Sequence, residues 1–166
     1  MSTLAPQELV PISAHAFAEA MTQLVSGVTV VTARRASGQA CGLLATSICS
    51  YSADPPSLLV VIGDGRGSHG ALVGCAEFGV HLLGSQQGPM AKVFASSAAD
   101  KFAEVAWRWD RETPRLAEVP VFLRCSRQAV LHHGDHTMII GMIVDAELQG
   151  GEPMVYYRRR LSWRLC

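Results

Sequence analysis

The sequence has no excess of charge of either sign. Its 14 lysines and arginines balance 14 aspartates and glutamates, for a formal net charge of zero with the histidines neutral. Binding along a phosphate backbone needs a basic surplus, so nucleic acid is not an expected partner. The one dense basic run, Arg158-Arg159-Arg160, reads as a solvated face. No apolar run reaches the ~18 residues of a membrane helix, and no membrane association is expected. The start, Met1-Ser-Thr-Leu-Ala-Pro, has neither the basic nor the apolar segment of a secretory signal, which makes the cytoplasm the expected location. Five cysteines (Cys41, Cys49, Cys75, Cys125, Cys166) form no CxxC pair and are odd in number, so they read as free thiols rather than as a disulfide frame or metal centre. There is no G-x-S-x-G elbow, no Walker A loop and no clustered carboxylate pair. Serine hydrolysis, P-loop chemistry and two-carboxylate hydrolysis are therefore not expected.

What is present is apolar. At 166 residues, 49% hydrophobic and 17% charged, the chain can bury a full core. The excess apolar surface suits a subunit interface or a cofactor pocket. Residues 1–12 read as a loose arm and residues 13–166 as a single domain. Ser13 can cap a helix running to about Ser26, with Phe17, Met21, Leu24 and Val25 forming one apolar stripe. Val28–Thr32 and Cys41–Tyr51 read as strands, the second stopped by Asp54-Pro55-Pro56. Ser57–Ile62 is a uniformly apolar strand with the pattern of one buried on both faces. A glycine-rich loop, Gly63–Gly67, precedes a short helix over 68–76 and a strand over Phe78–Leu83. Residues 86–107 read as helical, broken near Gly88-Pro89. In the last third, Val121–Leu131 and Thr137–Leu148 flank Gly134-Asp135, a two-residue hairpin signal. Short strands over Met154–Tyr157 and Leu161–Leu165 end the chain. Tight hairpins with few helices predict a mainly β protein, an antiparallel barrel with peripheral helices.

Three constellations carry chemical options. In Gly63-Asp-Gly-Arg-Gly-Ser-His-Gly70, Gly65, Gly67 and Gly70 satisfy G-x-G-x-x-G between a strand and a helix. The helix is short and no acid closes the following strand, which argues against dinucleotide binding of the Rossmann kind. A phosphate site outside that fold, with Arg66 adding charge, and a plain turn both remain open. In His132-His133-Gly134-Asp135-His136, alternation sends His132 and His133 to opposite faces. A metal site, a polar turn and a cofactor-facing His136 are the options there. In Met154-Val-Tyr-Tyr-Arg158, adjacent tyrosines point to opposite faces, so one can be core and the other can face a ligand or a neighbouring subunit. The hydroxyls of Thr46, Ser47, Ser50 and Ser52 stand where a plain core strand would carry Val or Ile, and buried hydroxyls need partners.

These segments, in this order, resemble the flavin reductase family over about residues 15–165. The specific parts are Ala45-Thr-Ser…Ser50…Ser52…Asp54-Pro-Pro56 and Gly134-Asp-His136. Gly27–Thr32, Phe78–Leu83, Gln87, Phe94, Lys101-Phe102, Trp107, Gly141 and Tyr156-Tyr-Arg158 support them. The resemblance implies a split β-barrel, a homodimer, bound FMN with FAD as the alternative, and NADH or NADPH as co-substrate. The implied activity is an NAD(P)H-dependent flavin reductase passing reduced flavin to a separate monooxygenase. A non-catalytic flavin-binding carrier or sensor on the same barrel is the alternative. By the same resemblance, the backbone of Leu43, Leu44, Ala45 and Thr46 runs along the flavin ring. Thr46, Ser47 and Ser50 serve the ribityl or phosphate region, and the loop with Arg66, Gly67, Ser68 and His69 closes over the phosphate. Tyr157 and Arg158 lie near the flavin, and His136 positions the nicotinamide. The sequence departs from the family pattern at Leu44, Gly63-Asp64 and His81, where a threonine, an Asn-Arg pair and an asparagine are common.

Overall fold

The computed structural model describes residues 10–163. Its elements in chain order are α1 (Ala14–Met21), β1 (Ser26–Gly27), β2 (Thr29–Arg34), β3 (Ala40–Ala45), β4 (Ile48–Ala53), β5 (Pro56–Gly63), α2 (His69–Gly74), β6 (Glu77–Leu82) and α3 (Gly88–Ala95). A 3-10 turn over Phe102–Glu104 follows, then β7 (Trp107–Asp110), β8 (Thr113–Leu116), β9 (Val121–His133), β10 (His136–Leu148), β11 (Val155–Tyr157) and β12 (Arg160–Trp163).

Seven strands form one sheet in the order β3-β2-β6-β9-β10-β5-β4, every neighbouring pair antiparallel. Its two edge strands, β3 and β4, are consecutive in the chain. Thr46 and Ser47 join them, and the Ser47 carbonyl accepts from Val61 N–H at 2.9 Å. The sheet thus curls into the antiparallel barrel that the hairpin pattern implies, of the split kind that the family resemblance implies. Small sheets, β1-β11-β12 and β7-β8, flank it.

Burial explains the apolar strands. β2 is buried at five successive positions because both faces are covered. Val31 joins an interior cluster with Leu43, Val60, Phe78 and Ile139, whereas Val30 joins Phe94, Phe102, Leu116 and Phe122 on the outer side. The β9–β10 hairpin turns at Gly134-Asp135 as expected, with His133 opposite His136 and Gly134 at φ +62°.

Several expectations are corrected. The strand expected over Cys41–Tyr51 is two strands, since the chain must cross from one edge of the barrel to the other. The hydroxyls of Ser47 and Ser50 are exposed, so their partners do not lie in a buried strand. The buried hydroxyls are elsewhere: Thr29 donates to the Ala45 carbonyl at 2.8 Å, and Thr32 to the Pro114 carbonyl at 2.6 Å. The first helix stops at Met21, and its apolar stripe faces solvent: Phe17 is 56% and Leu24 60% exposed. Of the helical expectation for 86–107, α3 takes Gly88–Ala95, which starts at Gly88-Pro89 rather than breaking there, and the 3-10 turn takes Phe102–Glu104. Trp107 instead opens the β7–β8 hairpin, whose Trp, Arg and Thr residues suit strand as well as helix. Of the thiols, Cys41 and Cys125 are buried and Cys75 is partly buried. Cys49, however, is exposed on β4. The arm expected over 1–12, the end of the strand expected to Leu165, and Cys166 fall largely or wholly outside the described residues.

Candidate functional site

Between β3, the Gly63–Gly70 loop, α3 and β11–β12 lies a cavity of about 630 Å³, within the range that holds a cofactor. Four cationic side chains line it: Arg35, Arg66, Lys101 and Arg159. Among the described residues no carboxylate does. Its apolar wall is Phe94 and Phe102, whose rings meet edge-on with centroids 5.3 Å apart.

The loop is held in place from both sides. Arg35 Nη1 donates to the Gly67 carbonyl at 3.0 Å, and Ser68 Oγ donates to the Gly42 carbonyl at 3.0 Å. The N–H groups of Gly65, Gly67 and Ser68 have no partner among the described residues, so the loop presents donors at the cavity's mouth. Lys101 Nζ donates to the Phe94 carbonyl at 2.9 Å, tying the end of α3 to the 3-10 turn. Partial burial and then the nearby Arg66 guanidinium push its ammonium below the usual lysine range, which marks a site short of negative charge.

On the far side of the same loop, Thr137 is wholly buried. Its Oγ1 lies 2.8 Å from Asp64 Oδ1, from His69 Nε2 and from His132 Nδ1. His136 stands at the adjacent hairpin tip, exposed, with Nδ1 2.7 Å from Asp135 Oδ1. That bond is the main reason the Asp135 carboxyl is held below its usual range. In register His136 faces Gly63, the root of the loop.

Comparison with known proteins decides the family. The model of the flavin reductase like domain matches residues 21–163. The chain belongs to the flavin reductase family. It is 38% identical to an NADH:riboflavin 5′-phosphate oxidoreductase of Streptomyces pristinaespiralis, over 89% of this chain and 86% of that one. It is 34% identical to the reductase component of a 4-nitrophenol 4-monooxygenase/4-nitrocatechol 2-monooxygenase of Rhodococcus opacus, covering 93% and 83%. Among solved structures, an NADH:FAD oxidoreductase of Streptomyces globisporus C-1027, in complex with NAD and FAD fragments, superposes with a TM-score of 0.84. It is 28% identical, over 93% of this chain and 94% of that one.

Against that family frame, the expected residues fall into groups. Leu43, Leu44, Thr46, Arg66, Gly67 and Ser68 line the cavity. Ala45 is buried in the core, while Ser47 and Ser50 face solvent. His69 turns to Thr137, and His136 sits across the loop from the cavity. Tyr157 and Arg158 face the turn that follows α1, where Tyr157 Oη and Arg158 Nη2 both donate to Gln23 Oε1 at 3.4 and 3.2 Å. Their neighbours Tyr156 and Arg159 line the cavity instead. His81, which replaces the family's common asparagine, is a core residue rather than a site residue. It bridges two strands, with Nδ1 3.1 Å from the Val30 carbonyl and Nε2 accepting from Leu116 N–H at 3.1 Å. Sequence reasoning assigned no binding role to Arg35, Lys101, Phe94, Phe102 or Arg159. The signals available were strand alternation at Tyr156-Tyr157 and the place of Phe94 and Lys101-Phe102 among the segments that resemble the family.

Proposed function

We propose that the chain is an NAD(P)H:flavin oxidoreductase that reduces FMN or FAD for a separate monooxygenase. The single observation that carries this is the cavity: among the described residues it has four cations, no carboxylate and a loop with unpartnered N–H groups. It is complementary to a phosphate-bearing planar ligand. When bound, the nicotinamide supplies the hydride and the flavin accepts it. The chain's part is placement. The backbone of Leu43–Thr46 would run along the bound flavin, with Phe94 and Phe102 as the apolar wall beside it. Arg66 and the amides of Gly65, Gly67 and Ser68 would hold the phosphate. His136, whose imidazole is held by Asp135, would align the nicotinamide.

The relatives named as reductase components support delivery of reduced flavin to a second protein. We further propose that residues 13–166 form one domain and that two copies associate. The apolar residues Phe17 and Met21 on α1 and Leu24 and Val25 just after it are uncovered, and β4 is a sheet edge with Tyr51 60% exposed. The described thiols suit a reducing compartment, so we place the protein in the cytoplasm. No helix among the described residues is long and apolar enough to cross a membrane.

The test is anaerobic stopped-flow absorbance of protein with FMN or FAD, mixed with NADH or NADPH. Rapid bleaching of the flavin band is expected. Flavin bound without bleaching would replace the reductase by a carrier or sensor, and no binding of either flavin would discard both. His136→Ala should slow hydride transfer at least about tenfold while leaving the flavin Kd within twofold. Equal losses in rate and binding would remove His136 from its role.

A further inference from the structure

We propose that Asp64, His69 and His132 form a binding site for a divalent transition cation of the zinc class. One donor atom from each of the three lies within 4.8 Å of the other two, and His69 Nε2 is already 3.1 Å from Asp64 Oδ1. Two imidazole nitrogens and one carboxylate oxygen suit zinc and its neighbours in the transition series. Calcium and magnesium would call for an all-oxygen set. Thr137 Oγ1, 2.8 Å from a donor atom of each, stands behind the three as a fourth donor atom.

The mounts are rigid. His132 pairs with Thr137 across the β9–β10 hairpin, which puts both side chains on one face, while His133 points to the other. Asp64 lies just beyond β5, its N–H bonded to the Asp135 carbonyl at 3.0 Å, and His69 opens α2. The Asp64 side chain is 43% exposed and that of His69 17%, which leaves a path for an ion to enter. Two ligands come from the loop that lines the cavity, and the third comes from the hairpin that carries His136. An occupied site therefore pins the loop to the hairpin. The site is separate from the flavin cavity, since none of the three side chains lines it.

Untagged, chelator-treated protein titrated with Co2+ tests this, read by the visible ligand-field absorption of the bound ion and its displacement by Zn2+. Wild type and His133→Ala should each bind about one equivalent, with the intense spectrum of four-coordinate cobalt. His132→Ala and His69→Gln should raise the dissociation constant at least about tenfold, since even outer-shell losses cost that much. His132 is exposed, so His132→Ala keeps the test valid if His69→Gln does not fold, which metal-free melting curves would show. No cobalt band in the wild type, or unchanged affinity in His132→Ala, overturns the proposal.

Discussion

His81 shows how one residue can bind stability to pH. It is wholly buried, and loss of solvation, with a lesser push from the Arg115 charge, lowers its pKa from 6.5 to about 4. Its Nε2 accepts a backbone N–H, so only the neutral ring fits. Between these two values the unfolded chain binds a proton that the folded chain refuses. Stability is therefore full above pH 6.5 and falls as pH drops towards 4, by about 3 kcal/mol for a gap of this size. Urea midpoints measured from pH 7 to 4 should fall more steeply in wild type than in His81→Asn, and parallel curves would refute the assignment. Arg66 makes the opposite kind of prediction, a functional one. Arg66→Gln should weaken FMN about tenfold, or ~1.4 kcal/mol, by fluorescence titration. It should leave riboflavin, which has no phosphate, unaffected. An equal effect on both ligands would move Arg66 off the phosphate.

At the scale of elements, one turn and one close approach matter. β11 and β12 are joined by Arg158 and Arg159, both in the left-handed region at φ +47° and +62°. Two consecutive residues with positive φ make the tight hairpin turn that Asn-Gly fills most easily, and arginine there is strained. The turn places Arg159 at the cavity. Replacing Arg158-Arg159 by Asn-Gly should raise the melting temperature, by roughly 0.5–1 kcal/mol in stability. The same change should weaken flavin binding. A change that raised both, or neither, would show that the turn is not held for the site. Within β10, a Cβ on Gly141 would run into the Phe78 ring across the sheet. Gly141→Ala should cost about 1–3 kcal/mol in chemical denaturation, without touching the cavity.

At the scale of the whole molecule, the uncovered apolar surface of α1 is the feature that an isolated protomer does not explain. Sedimentation should give a dimer, and Phe17→Asp with Met21→Lys should shift it towards monomer. A wild type that is monomeric at tens of micromolar would refute the association.

How much of this was legible differs by kind of signal. Local and periodic information determined the barrel. The apolar runs of β2 and β5, the Gly134-Asp135 turn and the Pro-Pro stop each act over a few residues. The cavity residues Leu43, Leu44, Thr46, Arg66, Gly67 and Ser68 were reached by another route, the resemblance to the family. What only the tertiary structure decided is what the chain brings together from afar. Arg35, Lys101 and Arg159 meet at one cavity because β2, the segment after α3 and the β11–β12 turn converge there. Asp64, His69 and His132 meet around Thr137 because β5 and β9 both pair with β10. The break at Thr46–Ser47, and the side to which Tyr156 and Tyr157 turn, likewise depend on barrel closure. Sequence spacing encodes which way neighbouring side chains alternate. It does not encode which distant strand covers each face, and that is set by the packing of the whole sheet.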